Sequence, residues 1–450
     1  GSSFTATYRA YVSGGQPAGT YDGKVKYIMV HPATNVPNEP KDCSANKICY
    51  WPNAGNTVAD RMGDQSITAS STSADLWASN FERPGYGFAG WSDAYDYVVN
   101  EGSESNPNAH IYGPNETIEF TAGAYSSKGL PLYAVWVSSE GNLQNWNGCS
   151  TLPQGKVTAL TDTRDNDTYA VAKLADGKCW MIENLRLDTA DSLDETKSST
   201  GAYGGVFSGL ANPEVSNFSN TTPVVNNSRY TSDGTGSTYN PITNPVTLTD
   251  LGTTNRPEYR MPRYRNDNTN TDATLNPNVN VANMTGADQN VYSYGNYYTW
   301  HSAIVDTTVY ASNNTSVNTS LCPTGWRLPK GGNKSNEANN EFWRLIVNGI
   351  NGGVKPANYD SSTTPYYDGV VEAGPVDKKI RAWPNNFLYS GGVGNSSINS
   401  RGSYGIYWSA TACGSSGANS LDFYGSRVYP GANFFNKYFG STLRCLIGSS

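Results

Sequence analysis

Catalysis needs convergent nucleophiles, bases or metal ligands, and this sequence offers few of them. The three histidines, His31, His110 and His301, lie far apart in the chain, and none stands in a nucleophile, zincin or deaminase motif. The aspartates of Asp162-Thr-Arg-Asp-Asn-Asp167 could ligate calcium through their oxygens. They lack the glycine and distal glutamate of an EF-hand loop, so they read better as hairpin-turn residues; structural calcium is the minor expectation, and no other cofactor is expected. The seven cysteines are the other reactive set. Cys43 and Cys49 are close enough to close a small loop, and Cys149 and Cys179 flank a candidate hairpin. Cys322 and Cys445 lie at the start and end of the last domain, which leaves Cys413 as the odd thiol. Pairing implies an oxidising, extracellular setting; the alternative is a cytosolic chain with buried, unpaired thiols. These residues point to a binding protein and not to an enzyme.

Charged residues make up 15% of the 450 residues, the net charge is −7, and no run of Lys and Arg exists. Without that electrostatic footprint, nucleic acid and membrane-surface partners are disfavoured. No apolar stretch reaches the roughly 18 residues of a membrane span, so membrane insertion is not expected. Gly1-Ser2-Ser3 leads into strand-like sequence with neither a charged nor an apolar leader region, as in a soluble, mature secreted chain that has lost its signal. Abundant Gly, Asn, Ser, Thr and Tyr predict turns, short strands and amphipathic aromatic surface in place of long helices.

Composition divides the chain into parts. Up to about residue 138, strand-like runs cover 5–12, 25–31, 116–122 and 132–137. Between them stands Phe81-Glu-Arg-Pro-Gly-Tyr-Gly-Phe-Ala-Gly-Trp-Ser92, where Pro84-Gly85 makes a turn and Phe88 and Trp91 supply a small core. Next, 156–161 and 169–174 form a hairpin across the aspartate turn. Residues 187–290 are a loop-rich insertion, with local order around Tyr259 to Tyr264. Large apolar residues then return. Positions 297, 300 and 304 follow helical spacing. A second helix is predicted from about Glu337 to Ile350, capped by Ser335 or Asn336, striped by Phe342, Leu345, Ile346 and Ile350, and ended by Gly352-Gly353.

Two resemblances sharpen this outline. The pair RPGYGFAGW and LYAVW resembles the Listeria–Bacteroides repeat of internalin-type surface proteins, which implies that 1–138 is a small β-rich, β-grasp-like spacer. The ordered set DGKCWMIENLRL, YGNYYTWHSAI, CPTGWRLP, YWSAT and TLRC resembles the Fibrobacter succinogenes major paralogous domain, a relative of C-type lectins and formylglycine-generating enzymes. This implies an α+β, C-type-lectin-like fold over 139–450, with two short helices on a twisted antiparallel core, long loop insertions, and a Cys322–Cys445 bridge stapling its ends. The paired catalytic cysteines of the formylglycine-generating relatives are not matched, because only Cys413 and Cys445 lie in the C-terminal part. Trp383-Pro-Asn-Asn386 resembles the calcium-dependent sugar motif of lectins only superficially.

Folds of this kind also carry the variable proteins of diversity-generating retroelements, and 391–440 is similar to such a variable region. Rewriting adenines in AAC codons never yields Lys, Glu, Gln, Met or Trp, and none of these occurs from Thr411 to Asn436; Lys437 would have to be fixed or differently coded. Tyr and Phe give rigid contact area while Ser, Gly and Asn give adaptable hydrogen bonds, as in antibody paratopes. Period-two alternation predicts Leu421 and Phe423 in the core and Asp422 and Tyr424 in solvent. The expected contact set is Tyr404, Ile406, Ser415, Ser416, Asn419, Asp422, Tyr424, Tyr429, Asn433, Phe434, Phe435, Tyr438 and Phe439. For the last phenylalanines, Phe434, Phe435 and Phe439, a place in the core is the alternative, and Trp180, Trp300, Trp326, Trp343 and Trp408 are expected in the core. The function so expected is binding of an unknown protein or cell-surface ligand by an extracellular, surface-displayed protein. The alternative is a non-diversified structural or adhesion protein with a fixed partner.

Overall fold

The computed structural model describes residues 40–54, 62–79, 81–164, 166–186, 230–232, 239–241, 293–295, 298, 300–304, 310–332, 338–354, 367–368, 373–394, 397–400, 402–425, 427–437 and 439–447. The strands expected over 5–12 and 25–31, and the order expected around Tyr259 to Tyr264, fall outside these residues. The main strands in the first half are β1 (Lys47–Trp51), β2 (Tyr86–Ser92), β3 (Leu130–Asn142), β4 (Val157–Thr161), β5 (Thr168–Lys173) and β6 (Cys179–Met181). The second half holds α1 (Trp300–Ile304), β7 (Thr315–Ser316), β8 (Trp326–Arg327), α2 (Glu341–Trp343) and α3 (Ala373–Arg381). It ends with β9 (Tyr404–Cys413), β10 (Gly417–Tyr424), β11 (Arg427–Asn436) and β12 (Leu446–Ile447). The fold is α+β, mostly sheet with few helices, as the turn-rich, β-branched composition predicts.

One sheet runs in the order β8, β12, β6, β5, β4, β3, β1. The turn at Pro84-Gly85 launches β2, with Gly85 at φ 78° and the Tyr86 N–H donating to the Arg83 carbonyl at 3.1 Å. Phe88 and Trp91 then pack with Tyr50, Leu76, Phe81 and Leu132 into a local core, their rings 5.0 Å apart and edge to face. The boundary expected near residue 138 falls inside β3. The first part of β3 pairs with β1 and β2, and Ser139 onward pairs in parallel with β4. Ala89, Val135 and Val137 share a second core with Val157, Ala170, Trp180, Phe342 and Phe387.

Buried charges tie the layers together. The Glu183 carboxylate accepts from the Phe88 N–H at 3.0 Å, the Ala170 N–H at 2.7 Å and Arg186 at 3.1 Å. Burial pushes this carboxyl above its ordinary pKa, against the pull of Arg186. Arg381 on α3 pairs with Asp377 at 2.8 Å and with Asp75 at 3.2 Å, and donates to the Asn115 carbonyl. Fully buried Arg444 donates to Asn184 Oδ1 at 2.7 Å, to the Asn385 carbonyl at 3.0 Å and to the Asn386 carbonyl, stacked over the Phe387 ring.

The helix expected from residue 337 begins at Glu341. Its cap is Asn340, not Ser335 or Asn336, because Asn340 Oδ1 accepts the Trp343 N–H at 2.9 Å. It continues in a wider π winding over Arg344–Ile350; Phe342, Leu345 and Ile346 are buried, Ile350 lies at the edge of the core, and left-handed Gly352 and Gly353 end it at φ 61° and 83°. Trp300 and Ile304 of α1 are buried, as are Trp180, Trp326, Trp343 and Trp408. The bridges Cys43–Cys49, Cys149–Cys179 and Cys322–Cys445 all form, with Cα separations of 5.7, 5.8 and 5.8 Å, while Cys413 is free and half-buried. Three disulfides fit an extracellular protein. Among the described residues no helix is long and apolar enough to cross a membrane.

Candidate functional site

The second sheet places β7, β9, β10 and β11 side by side, all antiparallel, with the short strand Tyr367–Asp368 beside β11. Strand register decides which side chains meet. Tyr404 lies opposite Tyr424, Ile406 opposite Asp422, and Asp422 opposite Tyr429, so these five share one face. Tyr404 and Tyr424 stack with ring centroids 4.3 Å apart and planes 27° off parallel. Arg427, opposite Tyr424, donates to the Tyr429 hydroxyl at 3.2 Å. Burial first, and the Tyr429 phenol next, push the Tyr424 hydroxyl up to about 12, which leaves it a protonated donor at neutral pH. Tyr404, Tyr424, Arg427 and Tyr429 are all half-buried, so the face presents three phenols and a guanidinium to solvent.

The opposite face is core. Leu421 and Phe423 are fully buried with Tyr407 and Val428, as alternation predicts. Gly405 is required there, because a Cβ at this position would run into the Phe423 ring.

Three expected contact residues are buried and need correcting: Ile406 is 7% exposed, Asn419 1% and Asp422 4%. Alternation assigns Asp422 to the outer face correctly, but β10 is the central strand, and at that level Ile406 and Tyr429 flank it from both sides. Asn419 lies on the other face, where the Gly331 segment straps the sheet: Gly331 N–H donates to Thr411 Oγ1 at 3.0 Å, and a Cβ at Gly331 would come within 2.9 Å of the Asn419 Cβ. Phe435 and Phe439 are half-buried against the core beside Trp408. Phe434, opposite Asn419, is 47% exposed. Ser415 is exposed and Ser416 half-buried in the β9–β10 turn. Asn433 pairs with Ser420 through the strand; its side chain, and the whole of Tyr438, lie outside the described residues.

The expected set therefore divides into a tyrosine face at one end of the hairpin and a tip with Ser415 and Ser416 at the other. Eight residues at ~3.3 Å each put roughly 26 Å between Tyr424 and Ser416. A ligand reaching both ends has macromolecular dimensions.

Other candidate chemistry is engaged in structure. Asp162 is paired with Arg164 at 2.6 Å and accepts from Gln144, and Asp167 lies 3.3 Å from Arg186, so cations already meet two of the three carboxylates of the suggested calcium turn; the third, Asp165, lies outside the described residues. Asn386 donates to the Ala89 carbonyl at 2.8 Å, which makes Trp383-Pro-Asn-Asn386 a seam element. His110, on an exposed loop, lies 3.9 Å from Asp93. Among the described residues no group of three His, Cys, Asp or Glu is placed to hold a metal ion.

Two residues of this region escaped the sequence reading. Arg427 could have been found from its place two residues before Tyr429, on the same side of β11. Lys437 carried only a coding signal, and it is wholly buried. Comparison of the chain with protein-family models, with curated proteins and with solved structures gives no match in any of the three.

Proposed function

We propose that this is an extracellular binding protein without catalytic activity. Its C-type-lectin-like C-terminal part recognises a protein or other cell-surface ligand through the hairpin of β9 to β11, and retroelement rewriting of that segment varies the specificity. The observation that carries the reading is the cluster Tyr404, Tyr424 and Tyr429 with Arg427, half-exposed on one face of a sheet whose other face is core. Tyr and Arg are the residue types that dominate binding energy at protein interfaces. The disulfide-closed frame beneath them limits the ordering cost of binding.

The test is a titration of wild type and of the combined Tyr404→Ala, Tyr424→Ala and Tyr429→Ala variant against a panel of purified extracellular proteins and cell-surface preparations. Affinity is expected to fall about 100-fold or more in the variant, as for loss of an interface hot spot, with unfolding little changed. A partner bound equally well by both proteins would remove this face from the reading. Sequencing the flanking genome tests diversification separately: a reverse transcriptase and a near-identical repeat differing at adenines is the expected finding. Burial of Ile406, Asn419 and Asp422 favours the second reading, a surface protein with one fixed partner, because free substitution at those positions would disturb packing.

A further inference from the structure

The β9–β10 tip is held by more than strand pairing. Lys437, directly after β11, has no exposed surface. Its Nζ donates to the Ser415 carbonyl at 3.1 Å and to the Tyr310 carbonyl at 3.3 Å, and lies 4.6 Å from the centroid of the Trp300 ring. Its backbone N–H donates to the Ser416 carbonyl at 2.9 Å, and its own carbonyl accepts the Trp300 N–H at 2.9 Å. One residue thus joins the hairpin tip, the start of α1 and the segment at Tyr310. Among the described residues no carboxylate pairs with this amine. Among the described residues the titratable group facing it is the Cys413 thiol on β9; the Tyr310 ring packs edge-on against Trp300 at 5.9 Å. Two neutral carbonyls and an aromatic face compensate a buried ammonium only partly.

We infer that Lys437 is a positioning residue for the recognition hairpin: its amine clasps the tip shut, and because burial costs the charged amine more than the neutral one, protonation favours an open form that sets a cation beside Ser415 and Ser416. Only the word recognition rests on the function proposed above.

The direction of the pH effect follows from linkage. Burial holds the amine down to about 8 in the closed form, against ~10.4 for a hydrated lysine. Between these values the open form binds more protons, so closing becomes more favourable as pH rises from about 8 to about 10 and is least favourable at neutral pH and below. From pH 7 to pH 9 the closing equilibrium shifts about tenfold. Burial pushes the Cys413 thiol up, which acts in the opposite sense at alkaline pH, so Cys413→Ala isolates the amine.

The test is amide hydrogen exchange, read as protection factors for residues 414–417 at pH 7, 8 and 9. In Cys413→Ala, protection should rise about tenfold over this range. Lys437→Arg, charged throughout, and Lys437→Met, never charged, should both give flat profiles. A flat profile in Cys413→Ala overturns the inference, as does a rise that persists in Lys437→Met. The first of these outcomes needs no variant at position 437 to fold. No ligand enters the measurement, so failure here and failure of the binding reading are separable.

Discussion

The seam around Glu183, Arg381 and Arg444 joins a helix to a mixed sheet, whereas the outer face of β9 to β11 is antiparallel sheet, and the two treat polar groups in opposite ways. At the seam each buried charge is met by several fixed partners, local and distant: Phe88, Ala170 and Arg186 for Glu183; Asp75, Asn115 and Asp377 for Arg381; Asn184, Asn385 and Asn386 for Arg444. On the hairpin face the phenols of Tyr404, Tyr424 and Tyr429 meet one another, Arg427 and solvent. Removing a seam group leaves several buried partners unsatisfied, whereas removing a tyrosine from the face mostly exchanges one half-wet surface for another. Stability and surface chemistry are therefore carried by different residues, which lets the face change at little cost to the fold.

That contrast breaks or sharpens under substitution. The largest effect is expected from Cys322→Ser combined with Cys445→Ser. The bridge spans 123 residues, and opening a loop of that order costs about 4–5 kcal/mol on the chain-entropy model. Denaturant unfolding reads this directly, and a loss near that of a surface substitution would erase the distinction between frame and face. Glu183→Ala comes next, at about 3–5 kcal/mol, because it leaves two buried N–H donors unsatisfied and removes one carboxylate from Arg186, which keeps Asp167. It should weaken the packing of β2 on β5 most, visible as early hydrogen exchange at Phe88 and Ala170. The smallest effect is expected from Tyr404→Ser with Tyr424→Ser, about 1 kcal/mol for a half-exposed stacked pair. A loss as large as that of Glu183→Ala would mean that the face is part of the frame.

Much of the frame was legible in the sequence because its signals are local or combinatorial. Cysteine positions suggested all three bridges, tryptophans are too large and apolar to leave the core, and alternation placed Leu421 and Phe423 correctly. The outer face of β9 to β11 was legible only in part. Period two assigns a side chain to a face of its strand, but not to water: Asp422 is on the outer face and still buried, since Ile406 and Tyr429 close over it from neighbouring strands. The cap at Asn340 was missed because several polar residues precede the helix, and backbone geometry selects among them.

The sequence alone determined the class of structure, the redox chemistry and the kind of surface, because composition, cysteine spacing and strand periodicity act over a few residues or over the chain as a whole. Tertiary structure alone decided that β3 bridges the expected boundary, that Asn419 lies under the Gly331 strap, and that Lys437 is sealed against Trp300. Each of these depends on segments tens to hundreds of residues apart meeting in space, and no local pattern encodes such a meeting.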